Sequence, residues 1–583
     1  MMQNVNEIKS NLIKRLGTVW NKSEGDVEDL IKFDPVVRLF FNAIIYQYED
    51  VFNYHSIFKK EILTNLGERL IPDYHFYAMP AFGVIRADVT RNAILRLRND
   101  KVFSTPRKIK DKIVSLKFIS VSDTELIPGE LKAIVVNKTL INLQAKLDEK
   151  NDQYIENLDK GDEHTIWFGI SIPDNVKNEI KNISFFVDYD FGYFEDRLYF
   201  NELIDADWQI ANNSCEVNDG YSVQDKSFNS SPNTKRYTMA KQRIFDFYKK
   251  SFISLNIQEQ IHDSKISPKL PKELKSEYKK VLWISVKCNA AIPFSFFNDN
   301  SFYINAFPVM NCDVKTDGLT SSEIVKGIKL DENEFYYDLI DSDGIKSEDF
   351  IIRNSRHKSF DSKDLSSELR TLNRLFNHSR ALFNKATSID EREMDVFRKF
   401  SDILSDLELQ NKKDEISLPP FSIVSKEPVE RIKNYKYLTT YGEFGTGGEA
   451  GEVFKYEKAG LKEKSIVALT TFDGGKNPLE EHEMVDNFRY LLLSRDRIVT
   501  KEDIKALCFA VFQEENIENI RVTHTTIQGI GKMGLQRAIK IEIILNKSTK
   551  LKKKKIEFCK KELLGQLENK SIGVMYFLIC IDS

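Results

Sequence analysis

The sequence predicts a multidomain α+β protein, and three observations predict it. Amphipathic helices open the chain, short alternating apolar runs fill its middle, and a βαββαβ order closes it. At 583 residues the chain is too long for one ordinary core, so roughly two to four domains are expected. We divide it into a helical segment at 1–80, a β-rich domain at 81–310, a mixed region with an αα-hairpin insertion and linker at 311–440, and a C-terminal α/β domain at 441–583.

The opening segment predicts a short helix from Val5 to Leu16, followed by a long helix with a break in its middle. Asp34 is placed to cap the long helix, and Pro35 sits at the first helical position, where its missing N–H costs nothing. Val37, Phe41, Ile44, Ile45, Tyr48 and Phe52, and later Ile62, Leu66 and Leu70, recur at three- and four-residue steps. Phe40 and Phe41 are adjacent and point about 100° apart on a helix. A face that wide fits either a partner helix or this chain's own β-domain. Pro72 and Pro80 end the helical pairing.

From Phe82 to about Met310 the pattern turns to strands: Ile113–Ile119, Ile134–Val136, Thr165–Ile170, Ile183–Val187 and Val281–Val286, separated by Gly, Pro, Asn and Asp. The polar stretch Ala211–Lys235 reads as a long loop. Between about Asp361 and Gln410, Leu365, Leu369, Leu372, Leu375, Met394, Phe397, Phe400 and Leu404 return to helical spacing and predict an αα-hairpin.

The tail is the most regular region. Arg497–Val499 reads as a strand, and Thr500-Lys-Glu-Asp503 as a capping-box start for a helix through Phe512. Strands follow near Ile520–Ile527 and Ala538–Leu545, then a helix bearing Ile556, Cys559, Leu563 and Leu567, then a strand at Val574–Ile581. That order is the split βαβ, ferredoxin-like arrangement.

Each chemical motif has a simpler structural reading. Gly529-Ile-Gly-Lys-Met-Gly534 spells GxGxxG, but a strand follows it, and a dinucleotide site needs a helix there; a hairpin turn fits better. Gly442-Glu-Phe-Gly-Thr-Gly-Gly-Glu-Ala-Gly-Glu452 lacks the Gly-Lys-Ser/Thr ending of a phosphate loop, and its glutamates repel phosphate. It reads as a flexible or extended connector that orders against a neighbouring subunit. The eight histidines show no metal-ligand spacing, and Asp341-Ser-Asp343 reads as turn capping. Lys550–Ile556 reads as the solvated side of a helix. No cofactor and no catalytic residue is expected.

Lys+Arg of 85 against Asp+Glu of 88 leaves a net charge of −3, without the basic excess that nucleic acid requires of a binding surface. The first residues lack the apolar stretch of a secretory signal, and Val574–Ile581 is far short of the ~20 residues that span a bilayer. Six scattered cysteines suit buried thiols in a reducing cytoplasm.

Three blocks carry a family resemblance. The first is Asp34-Pro-Val-Val-Arg-Leu39, with Leu70-Ile-Pro-Asp-Tyr74 and Ala78-Met-Pro80, one residue shorter than the family pattern between Val37 and Arg38. The second is Tyr303-Ile-Asn-Ala-Phe-Pro-Val-Met-Asn311. Both resemble the TssF family of type VI secretion baseplate subunits. The third, with Arg497, Val499, Thr500 and Asp503 and with Arg495 just ahead, resembles the R-x-V-T-x-x-D segment of phage J-type wedge proteins.

The resemblance implies a non-catalytic wedge subunit of a contractile injection machine, cytoplasmic and docked at the inner-membrane complex. Its implied partners are a TssG-like smaller subunit, a second copy of itself, a TssK-like adaptor, a VgrG-like spike and sheath or TssE-like subunits. It further implies bundle contacts by Phe40, Phe41, Ile44, Tyr48 and Phe52, and ring contacts by Arg495, Arg497 and Asp503. Two alternatives stand beside it: a wedge of a phage tail or extracellular injection particle, and an enzyme with a site dispersed over the β-domain.

Overall fold

The computed structural model describes scattered positions between 13 and 29, then 77–582 without 91, 98–101, 144–154, 158–161, 212, 222–235, most of 259–279, 321–324, 341–348, 355–420, 427–431, 479–496, 531–533, 547–550 and 572–575. The chain divides into two compact units, Met1–Pro72 and Asp73–Ser583. In the first, Ile13 is a buried helical residue. Ser23 and Asp26 cap each other: Ser23 Oγ accepts from Asp26 N at 3.3 Å, and Asp26 Oδ2 accepts from Ser23 N at 3.3 Å. The expected long helix and the αα-hairpin at 361–410 lie outside the described residues.

The second unit is built on antiparallel sheets, as the alternating runs predict. A six-stranded sheet runs in the order Lys455–Tyr456, Val102–Ile109, Lys112–Ser120, Ala306–Met310, Phe82–Arg86, Val467–Ala468. A four-stranded sheet holds Glu216–Asp219, Phe252–Asn256, Asn182–Asp188 and Ser301–Ile304. A seven-stranded sheet is centred on Val281–Lys287, Thr165–Ser171 and Glu130–Val136. The described helices are α1 (Phe194–Asp205), α2 (Arg236–Tyr248), α3 (Phe294–Asp299), α4 (Lys501–Phe512) and α5 (Lys553–Lys570).

The four- and seven-stranded sheets share one apolar core. Phe168 meets Phe185 of the other sheet at 5.3 Å and stacks on Trp208 at 5.4 Å, while the Trp208 indole donates to Leu203 O at 2.7 Å. A second core lies on the six-stranded sheet, where Phe118 packs edge-on to Phe454 and Phe472. A third joins Tyr336, Phe421 and Tyr435 across the small sheets between 313 and 440.

The structure adds detail to the sequence expectations in three places. The polar stretch from Ala211 holds two short strands, Asn213–Ser214 and Glu216–Asp219, because Ala211 at φ 53° turns the chain back on Asp207–Ile210. Residues from 441–476 add the two edge strands of the six-stranded sheet and part of its core. The C-terminal sheet has the order Ile517–Gln528, Leu535–Leu545, Tyr576–Asp582, with the last pair parallel. A ferredoxin-like sheet would place the strand at Arg497–Val499 between those last two. Among the described residues, Ile498 makes only an isolated bridge to Ser571. Val499 is exposed.

Candidate functional site

The second resemblance block forms the junction between two sheets. Ser301–Ile304 belongs to the four-stranded sheet and Ala306–Met310 to the six-stranded one, with Asn305 alone between them. Asn305 has φ 58°, a left-handed conformation that asparagine tolerates better than most side chains. Its buried carboxamide is fully used. Oδ1 accepts from Ile127 N at 2.9 Å, and Nδ2 donates to Ile127 O at 2.8 Å and Gly129 O at 3.3 Å.

Asn311 closes the other end of the crossing strand. Its Nδ2 donates to Lys117 O at 2.9 Å, and its Oδ1 accepts from Tyr441 N at 3.0 Å and the Thr440 hydroxyl at 3.4 Å. Gly445 lies so close that a Cβ there would meet Asn311 Oδ1 at 2.7 Å. Pro308 fits this strand because Phe82–Arg86 covers one side fully, while Lys112–Ser120 reaches only Val309 and Met310 on the other. Its missing N–H opens no bond toward Phe82–Arg86, because the facing Val84 bonds instead to Thr470 and Leu469. The carbonyl of Pro308 still accepts from Val121 N at 3.1 Å.

The glycine-rich loop beside Asn311 is pinned within this chain, contrary to the expected flexible connector. Arg107 donates to Gly445 O at 3.0 Å, Thr446 O at 2.9 Å and Glu452 Oε2 at 2.8 Å. Thr105 holds the second Glu452 oxygen at 2.7 Å. Arg107 and Glu452 are 345 positions apart, so no local pattern could announce them.

The third block starts α4. Thr500 Oγ1 accepts from Asp503 N at 3.2 Å, and Asp503 Oδ2 accepts from Thr500 N at 2.8 Å and Val499 N at 3.1 Å. Asp503 thus spends its carboxylate on the helix start, and Arg497 stands exposed beside it. Phe40, Phe41, Ile44, Tyr48, Phe52 and Arg495 lie outside the described residues. So does Asp341-Ser-Asp343.

The GxGxxG letters are a hairpin tip: Gly529 N donates to Gly534 O at 2.8 Å, and Gln528 pairs with Leu535. Among the described residues no three His, Cys, Asp or Glu side chains converge as metal ligands. A small cavity of about 30 Å³ is lined by Met79, Pro80 and Arg243 among others. No helix among the described residues is long and apolar enough to cross a membrane.

No family model and no curated protein sequence matches the chain. Among solved structures, it is similar to a chain of the type VI secretion system TssK-TssF-TssG baseplate subcomplex revealed by cryo-electron microscopy. The similarity covers 94% of this chain and 96% of that one, at 9% identity and a TM-score of 0.44.

Proposed function

We propose that this chain is a structural wedge subunit of a type VI secretion baseplate, working by assembly rather than catalysis. The observation that carries the reading is the use made of the resemblance residues. Asn305, Pro308 and Asn311 build the junction between two sheets, and Thr500 and Asp503 build a helix start. Each is spent on architecture, which is what a motif shared among scaffold subunits selects for.

In this reading the wide aromatic face with Phe40, Phe41, Ile44, Tyr48 and Phe52 bundles with a TssG-like smaller subunit and a second copy of the chain. Arg495 and Arg497 meet the next wedge in the ring, with Asp503 shaping the turn that presents them. A TssK-like adaptor, a VgrG-like spike and sheath or TssE-like subunits complete the neighbourhood, at the inner-membrane complex of the cytoplasm. The arginine-bearing segment also fits the phage-type wedge, and neighbouring genes for tail fibres would favour that reading.

Co-purification tests the bundle. The double variant Phe41→Asp with Tyr48→Asp should lose the smaller subunit while the chain itself stays folded. Wild-type recovery of that subunit would refute the assignment.

A further inference from the structure

The stripe of α5 that faces the β-core carries Phe558, Lys561, Glu562, Gly565 and Glu568. Its opposite stripe, Cys559, Leu563, Leu564 and Leu567, is buried, with Cys559 Sγ reaching Val511 O of α4 at 3.8 Å. The apolar side of α5 therefore serves the C-terminal layers themselves, and the charged side serves the junction with α1 and α2. Junctions of that composition within one chain resemble transient interfaces, and motion across them is the ordinary expectation.

The charges at this junction do not balance locally. Arg243 of α2 clasps Glu562 at 2.6 Å and also donates to Gly474 O at 3.1 Å. Lys476 adds a second cation beside the same carboxylate. Lys561 has no ion pair among the described residues. Its ammonium lies 4.2 Å from the Phe191 ring centre, 4.8 Å from Phe247 and 5.1 Å from Tyr248, and donates to Ser251 Oγ at 3.1 Å. The nearest carboxylate field comes from Asp188. Rings and one hydroxyl return only a fraction of the hydration an ammonium loses on burial. In keeping with that geometry, burial pushes Lys561 down to about 8 and Asp188 upward. The apolar contacts include Phe558, stacked on Phe247 at 5.0 Å and near Phe82 at 5.9 Å, and Tyr576 of the last strand, edge-on to Phe194 of α1 at 5.9 Å.

We propose that residues 498–582 form a detachable module, latched to the β-core through α5 and, at the last strand, through Arg197 donating to Phe577 O at 2.9 Å, and that the ring-faced ammonium of the half-buried Lys561 sets how readily the latch opens. At neutral pH the docked state carries a poorly compensated cation that the undocked state would return to water. Gly565 marks the closest approach, since a Cβ there would meet Asp246 O of α2 at 3.2 Å.

Hydrogen exchange of the full-length protein, read by mass spectrometry, tests the latch. Lys561→Met keeps the stem against the rings and removes the charge. It should slow exchange in α2 and α5 by roughly tenfold. Gly565→Leu should wedge the helices apart and speed exchange in those same two helices. The strand Thr165–Ser171, deep in the core, should be unchanged in both. Exchange in Lys561→Met at or above the wild-type rate would overturn the proposal. So would Gly565→Leu leaving α2 unaffected, or loosening Thr165–Ser171 together with it.

Discussion

Two junctions in this molecule solve the same problem with opposite chemistry. The crossing strand joins two sheets through neutral amides, and every side-chain polar atom of Asn305 and Asn311 has a backbone or hydroxyl partner. The α5 junction joins two modules through ionic side chains, one of them a cation without a paired anion. A saturated neutral clamp is costly to disturb because each lost bond strands a buried group. A charged clamp is adjustable, because water competes for its members whenever it opens. The first design fixes geometry; the second permits motion.

The largest effect should come from the neutral clamp. Asn305→Ala strands Ile127 N and O and places alanine at φ 58°, so it should cost the β-core about 4 kcal/mol in urea unfolding followed by tryptophan fluorescence. Asn305→Gly keeps the conformation and should recover about 1 kcal/mol of that loss. Equal losses in the two variants would mean that the left-handed turn is not integral to the design.

A smaller loss should follow at the loop clasp. Arg107→Met frees two carbonyls and leaves the Glu452 carboxylate without its cation, at about 2 kcal/mol with new protease cutting near 442–452. Adding Glu452→Gln should restore some of the stability. A double variant weaker than the single would contradict the pairing.

Smaller again is the α4 cap. Thr500→Ala should cost the C-terminal module about 1 kcal/mol and leave the β-core transition in place. A matching drop in the core would argue that the two regions unfold as one.

The finest comparison is with pH. Lys561 falls from an ordinary 10.5 to about 8 when docked, so between those values the undocked state binds more protons. Docking should therefore tighten as pH rises from about 8 toward 10.5, read as slower exchange in α2 relative to the Lys561→Met variant. A flat difference across that window would remove Lys561 from the account.

What the sequence discloses follows the range of the interactions. The Thr500–Asp503 cap and the Gln528–Leu535 hairpin are legible because both close within a few residues. Strands such as Thr165–Ser171 are legible from alternation and apolar runs. The glycine-rich loop misleads because its anchor, Arg107, is more than 300 positions away. The expected first strand of the ferredoxin-like order, Arg497–Val499, is seen only as a bridge from Ile498 to Ser571, because chain order does not reveal which strands pair. Asn305 stands inside a resemblance block, yet its positive φ has no local signal between two strands. Lys561 gives still less warning, since a lysine on a lysine-rich helix reads as solvated until the facing rings are placed.

The central claim, that the chain is a wedge subunit, is tested most directly by native mass measurement of the tagged full-length protein isolated from its own cells. The account predicts a stable complex of two copies with one smaller subunit, accompanied by adaptor and spike proteins. A lone monomer that turns over a substrate would contradict it.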